Sequence, residues 1–483
     1  MKRFYFLMLL IILLWDIGSF AEVLTLNDCV ARGLDNNREL KIAYENFRKF
    51  KGTKQKTRAL YFPHVSLTAM YNRVNFTASD RLKEDFEKFS MIPGQLSQLF
   101  LSTIQDPTMQ AVYAQKIQGM MSELNLPSEL PKHVGMLNTG VFVSQPIFTG
   151  FRILNANRAI SAAEKGAYYQ YIETKNKVIL DIETTFYQAL LMDHLVEVYQ
   201  MAVKIGNDHL DIIKKMHAEG LASNWDLLKA RTHIQKLEPQ LADAKRKREL
   251  VYSKLRLLIG ASQEDELLIS GDFKAPEIEY AEDFDSLYKI AKANNPLLKS
   301  VSLFENSSKY LLKTAYGSLL PQIGGFANYT FLGINDEYNV GSKDINKVFA
   351  VGISLKWDIF TGGEHFGKIK EKRAELESVK QKKSQVMDYV KIQIKDALNQ
   401  LKYAKENYKT HELNVQLSEK SLQIAEESFK NGTAREVDVL DAQLDLKSAK
   451  VSYYQMIYDY ITADLNLKKA LGVISKDFNH EEE

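Results

Sequence analysis

A mainly α protein with membrane β-strands, built from two copies of a strand, strand, long helical hairpin unit, is the fold class that this 483-residue sequence predicts. Three observations carry the prediction. The first is self-similarity. Asn36, Asn37, Pro63 and Tyr71 recur as Asn294, Asn295, Pro321 and Tyr329 at an offset of about 258. Ile147 to Gly150, Gly220, Asp226 and Leu258 to Gly260 recur as Ile359 to Gly362, Gly432, Asp438 and Ala470 to Gly472, now at about 212. The offset changes once, so the first copy carries an insertion of roughly 46 residues between Tyr71 and Ile147. The second observation is four extended stretches of period two. The third is a pair of runs, each of about 68 residues, with no proline and almost no glycine.

In chain order, residues 1–21 read as a secretory signal peptide: basic Lys2 and Arg3, an apolar run from Phe4 to Trp15, then Ser19-Phe20-Ala21 before Glu22. That run is shorter than the roughly 20 residues a spanning helix needs. No later run is long and apolar enough for a transmembrane helix, although strands could still enter a membrane. The first repeat is assigned to 22–260, with the insertion at about 75–138. The second repeat is assigned to 261–474, and a short charged tail to 475–483. Few prolines and no Gly/Ser linker suggest one elongated body rather than separate beads.

Each copy opens with a short amphipathic helix, about 25–35 and 282–293, that stops at an Asn-Asn pair; a second helix runs on to a proline. Cys29 is the only cysteine, which excludes an intrachain disulfide and a cysteine-built zinc site. Its neighbours Leu26, Val30 and Leu34 place it on a buried helix face. The strands follow. Val65 to Asn72 and Phe349 to Ile359 alternate apolar and small or polar residues; Thr139 to Phe148 and Ile323 to Phe331 complete four. Their length of about 9 to 12 residues, with aromatics near the ends, suits a tilted strand crossing a bilayer. The insertion is amphipathic, and Pro93, Pro107, Pro127 and Pro131 are expected to cut it into short helices. It is too long for a plain loop and is expected to fold as a cap, plug or contact surface, outside the cell if the strands are placed correctly in a membrane.

After Gly150 and Gly362 the period becomes helical, from Phe151 to about Ala218 and from Gly363 to about Lys430. Ile172, Ile179, Ile182, Phe186, Ala189, Val196 and Val203 alternate three and four spacings, as do Tyr408, Val415, Leu422, Ala425 and Phe429, which is the pattern of a coiled-coil seam. Glu219-Gly220 and Asn431-Gly432 stop these helices, and return helices run over about 223–259 and 435–471. Four strands cannot close a packed barrel, which takes about eight. An open edge in hydrocarbon strands N–H and C=O groups at several kcal/mol each. Membrane strands therefore require several chains to share one barrel: eight strands from a dimer, or twelve from a trimer with a bore.

The signal sequence, the duplication, the two strands and helical hairpin per copy, and the tip sequence Gly432-Thr433-Ala434-Arg435-Glu436-Val437-Asp438-Val439-Leu440-Asp441-Ala442 together resemble the TolC family of outer-membrane efflux and secretion channels. The resemblance covers the mature chain apart from the insertion. It implies a homotrimer with a twelve-stranded β-barrel in outer-membrane lipid and an α-helical coiled-coil barrel across the periplasm. It also implies passive conduction as the exit duct of a tripartite efflux pump or type I secretion system, docked to a periplasmic adaptor protein and an inner-membrane transporter.

Asp438 and Asp441 are three apart and share a helix face. The resemblance places them at the periplasmic gate, with Asp226 their first-copy counterpart. Relatives have a basic residue where this chain has Ala434; Arg435 stands one position later and joins the gate set. Gly220 with Leu221, and Gly432 with Thr433, match the tips that the family presents to the adaptor, besides capping helices.

A net charge of +2 argues against a nucleic-acid surface. His411-Glu412 lacks a second histidine four residues on, and no Gly-rich phosphate loop follows a strand, so no enzyme, cofactor or metal site is read. The alternative from another class is a structural or adhesive periplasmic coiled-coil protein that never enters the membrane. A periplasmic adaptor would carry one hairpin between small β domains, whereas two hairpins are predicted here.

Overall fold

The computed structural model describes residues 23–75, 80–102, 107–123, 133–276, 283–335 and 340–478. The expected signal peptide, Pro127, Pro131 and the last residues of the tail lie outside the described residues. The first copy runs β1 (Val23–Leu24), α1 (Leu26–Asn36), α2 (Arg38–Ala59), β2 (His64–Asn75), α3 (Asp80–Ser102), α4 (Pro107–Glu123), β3 (His133–Phe148), α5 (Arg152–Ala218) and α6 (Asn224–Ile259). After β4 (Leu268–Ile269), the second copy runs α7 (Phe284–Asn294), α8 (Pro296–Tyr316), β5 (Gln322–Asn335), β6 (Ile345–Lys356), α9 (Glu364–Lys430) and α10 (Glu436–Leu471). Helices α5 and α9 are both 67 residues long, and α6 and α10 both 36.

The chain divides into two compact units that cut across the repeats. One holds the described residues up to Thr57, Leu154–Lys313 and Phe366 onward; the other holds Arg58–Ile153 and Thr314–His365. Each unit draws on both copies.

The second unit is a four-stranded antiparallel sheet in the order β2-β3-β5-β6. Register decides its chemistry. Val65, Val143, Ala327 and Val351 form one row across all four strands, and Leu67, Val141, Tyr329 and Phe349 the next row on that face. The intervening rows are Ser66, Phe142, Asn328 and Ala350, then Thr68, Gly140, Thr330 and Val348. Because successive side chains alternate between faces, one face is almost wholly apolar and the other largely small or polar. The apolar face is open, with Leu67 at 76 % and Ile353 at 75 % exposure. Within the described residues β2 and β6 each pair on one side only.

Three expectations on this unit are corrected. Strand β3 begins at His133 rather than Thr139, because it is paired on both sides and its ladder bonds hold a stretch that lacks alternation. Strand β6 ends at Lys356 rather than Ile359. Lys356 pairs with Gln322, and Pro321 before it has no N–H to continue the ladder. Pro93 does not cut the insertion: α3 runs through it. A proline forfeits one intrahelical bond, and the turn containing Phe89, whose carbonyl loses that partner, is exposed to water. Pro107 does act as expected, opening α4 at its first position.

In the helical unit, the duplicated asparagines turn out to be joints. Asn37 caps α2, its Oδ1 accepting from the N–H groups of Glu39 (2.9 Å) and Leu40 (3.2 Å), while its Nδ2 donates to the Leu258 carbonyl at 3.0 Å. Asn295 repeats the arrangement, accepting from Leu297 (2.9 Å) and Leu298 (3.1 Å) and donating to Ala470 at 2.9 Å. Each ties the start of one helix to the end carbonyls of α6 or α10 and satisfies groups that helix ends leave unpaired.

One apolar core gathers Ile179, Ile182 and Phe186 of α5 with Leu255 and Ile259 of α6 and Ile457 of α10. A second gathers Leu287 of α7, Val390 and Ile394 of α9, and Leu467 of α10. Each fully buried side chain of this size stabilises by about 1.5–3 kcal/mol. The predicted seam is buried at Ile179, Ile182, Phe186, Ala189, Val196 and Leu422; Val390, Ile394, Ala397, Leu401 and Ala404 extend it along α9 beyond the residues anticipated. Cys29 is fully buried, as expected, and burial, with the Asp28 charge second, pushes its thiol up to about 12. No described helix is long and apolar enough to cross a membrane.

Candidate functional site at the hairpin tips

Both hairpin tips are closed by the same backbone device. Gly220 (φ 76°) and Gly432 (φ 71°) take the left-handed conformation that lets a helix end turn back on itself. At the first tip the N–H of Leu221 donates to Met216 O at 2.8 Å and that of Gly220 to His217 O at 3.0 Å. At the second, Thr433 donates to Ser428 O at 2.9 Å and Gly432 to Phe429 O at 3.0 Å. These are two Schellman motifs. Thr433 adds a hydroxyl bond to Ser428 O, 3.0 Å. Nothing lies within 4 Å of where a Cβ on either glycine would sit.

The return helices then start on matched carboxylates. Ser223 caps α6, its N–H and hydroxyl donating to Asp226 at 3.1 and 2.6 Å while the Asp226 N–H donates back at 3.2 Å. In α10 the Arg435 N–H donates to Asp438 Oδ2 at 2.9 Å, and the Arg435 guanidinium meets Asp438 Oδ1 at 3.0 Å. Those bonds hold both carboxyls below the usual range: the Ser223 hydroxyl chiefly for Asp226, the Arg435 side chain chiefly for Asp438. Carboxylates in a first turn also favour the positive end of the helix dipole.

The structure therefore separates the four gate candidates into one pair and two single residues. Arg435 and Asp438 bind each other within one turn. Asp441, exposed, lines a groove of 480 Å³ between α6 and α10 with Trp225, Leu228, Lys229 and Lys447. Asp226 is brought to a residue that the sequence did not single out, Glu436, the first residue of α10. Glu436 is only 5 % exposed, and both of its carboxyl oxygens lack a conventional donor. Burial first, then the contact with Asp226, pushes its carboxyl up to about 7. No motif marks it; the nearest signal is that the repeat sets it opposite Asn224, a charge where the first copy is neutral. Deeper between the hairpins, His209 packs against Phe429 at 5.4 Å between ring centres, and burial, with His233 second, takes it down to about 4. It is neutral at pH 7.

A model of the outer membrane efflux protein family matches residues 30–261 and 287–473. Outer membrane protein TolC of Vibrio cholerae is 22 % identical over 357 residues, spanning 73 % of this chain and 80 % of that protein. Outer membrane efflux protein BepC of Brucella suis is 24 % identical over 351 residues, 70 % of this chain and 72 % of that protein. Among solved structures, the CmeC outer membrane channel of Campylobacter jejuni superposes with a TM-score of 0.74 at 17 % identity, covering 93 % of this chain and 86 % of that one.

Proposed function

This chain belongs to the outer membrane efflux protein family, and from that premise we propose that it works as a homotrimeric, passive exit duct of a tripartite efflux pump or type I secretion system. The observation that carries the reading is the sheet: four strands, unpaired on the outer sides of β2 and β6, with one open apolar face. Such edges cannot stand in hydrocarbon, and a barrel closed by β6 of one protomer on β2 of the next removes them. Three copies supply twelve strands, apolar outward to lipid and polar inward to a channel. A periplasmic adaptor and an inner-membrane transporter complete the assembly and supply the energy, so this chain conducts and does not catalyse. The insertion helices α3 and α4 join β2 to β3 and lie on the extracellular side of such a barrel as a contact surface.

Purified protein is expected to run as heat-modifiable trimers from the outer-membrane fraction and to give discrete conductance steps in planar bilayers. A soluble periplasmic pool without conductance would favour the structural coiled-coil alternative.

The tips Gly220-Leu221 and Gly432-Thr433 are the surfaces this reading offers to the adaptor. Replacing both glycines by valine forces a β-branched residue into the left-handed region, at about 1–2 kcal/mol each. The open space around them leaves the rest of the fold untouched. Export is expected to fall at least tenfold in a complementation assay while trimers persist; retained export would place docking elsewhere.

A further inference from the structure

The Asp226 and Glu436 carboxyls meet across two different hairpins, one at the third position of α6 and one at the first of α10. We infer that these two carboxyls share a single proton and form a latch between the hairpin tips of one chain, closed while the proton is held and released when it leaves. The geometry assigns the roles. Asp226 is fixed as the anion, because it already accepts from the Ser223 hydroxyl and the Ser223 N–H. Glu436 is buried with no conventional donor to either oxygen, an arrangement costly for a carboxylate and satisfied by a carboxylic acid that donates to its neighbour. Loss of the proton to solvent breaks that bond and leaves two adjacent negative charges.

The charged groups around the pair do not rescue the ionised form. On α6, the Lys229 ammonium opposes the shift but is the smallest influence on Glu436, and it sits over the Trp225 ring at 5.5 Å. On α10, Arg435 is engaged by Asp438 at 3.0 Å. At the end of α5, His217 is turned to the Ala222 carbonyl at 2.9 Å. The sign follows from the raised value. The unfolded chain would release this proton near 4.5, whereas the folded tip holds it to about 7. The tip is therefore weakened as pH climbs across that window and stays weakened above it.

The test is a distance measurement. Spin labels on exposed Glu219→Cys and Asn431→Cys report the separation of the tips, in protein diluted with unlabelled chain; buried Cys29 stays unlabelled. A separated population is expected to grow by up to about tenfold per pH unit between about 4.5 and 7, the limit for release of one proton, and to level off above 7. Glu436→Gln, which donates an N–H to Asp226 at every pH, is expected to stay closed throughout. Glu436→Leu, with no donor, is expected to lose the step and stay separated. A wild-type distance independent of pH, or the same step in Glu436→Gln, overturns the latch; the wild-type arm decides alone should a variant not fold. Because the gate reading underlies the latch's consequence for flow, conductance is recorded on the same preparation. Loss of conductance with the distance step intact bears on the duct alone.

Discussion

Gly472→Ala is expected to destabilise the protein by about 2–4 kcal/mol, enough to abolish accumulation of folded chain at elevated temperature. Gly472 ends α10 at φ 75°, where any side chain is strained, and its added Cβ would lie 2.6 Å from Asn295 Cα and 2.7 Å from Asn295 N. Backbone atoms cannot swing aside as a side-chain end can. The atoms in the way belong to the residue that caps α8 and donates to the Ala470 carbonyl, so the substitution strikes a cap and an interhelical bond together. Gly260→Ala meets Asn36 Cβ at 2.5 Å at the matching joint, an atom held as firmly as the backbone it branches from, and is expected to cost a similar amount. Gly367→Ala is the control. It sits within α9 with nothing within 4 Å and should be neutral or stabilising by about 0.5–1 kcal/mol. Thermal unfolding of the three variants in one detergent ranks them; a loss at Gly472 no larger than at Gly367 would show that the joint relaxes freely.

Neutralising Asp438 and Asp441 together is expected to weaken block of the channel by a trivalent cation by at least tenfold in single-channel recording. Two carboxylates per chain would place six around a three-fold axis. Charges about 7 Å apart interact by roughly 2 kcal/mol at an effective dielectric near 20, so each removed charge matters to a bound cation. The geometry predicts an unequal split. Asp438 is already compensated by Arg435 at 3.0 Å and by the Arg435 N–H, whereas Asp441 is exposed. Asp441→Asn should therefore produce most of the effect, and Arg435→Ala, by freeing the Asp438 charge, should strengthen block. Asp438→Asn carries a second cost, about 1 kcal/mol of capping, that Asp441→Asn does not. Block unchanged in the double variant would move the constriction away from these residues.

The helical part was legible because its punctuation is local. Starts expected at Phe151 and Gly363 are observed at Arg152 and Glu364, and ends at Ala218 and Lys430 are met to the residue, since a left-handed glycine and an uninterrupted helical run are both properties of neighbouring residues. Strand ends were harder. A strand extends as far as its partners do, and the partners of His133 and Lys356 lie far away in the chain. The helix across Pro93 escaped for a related reason: the cost of a proline depends on whether water reaches the stranded carbonyl.

The tip shows the same division. Its glycines, and the carboxylates at Asp226 and Asp438, stood out because the repeat printed them twice. Glu436 is printed once and reads as one more charge at a helix start. Only its burial against Asp226, from the other hairpin, makes it a candidate for proton exchange. By itself the sequence determined the two-copy plan, the long helical hairpins and the alternation that gives each strand an apolar side. Tertiary structure alone decided that the four apolar sides fall on one face, that the paired asparagines lock helix to helix, and that two carboxyls meet at the tip. Periodicity and capping act over a few residues, whereas register, burial and charge pairing depend on segments that the chain brings together only after it has folded.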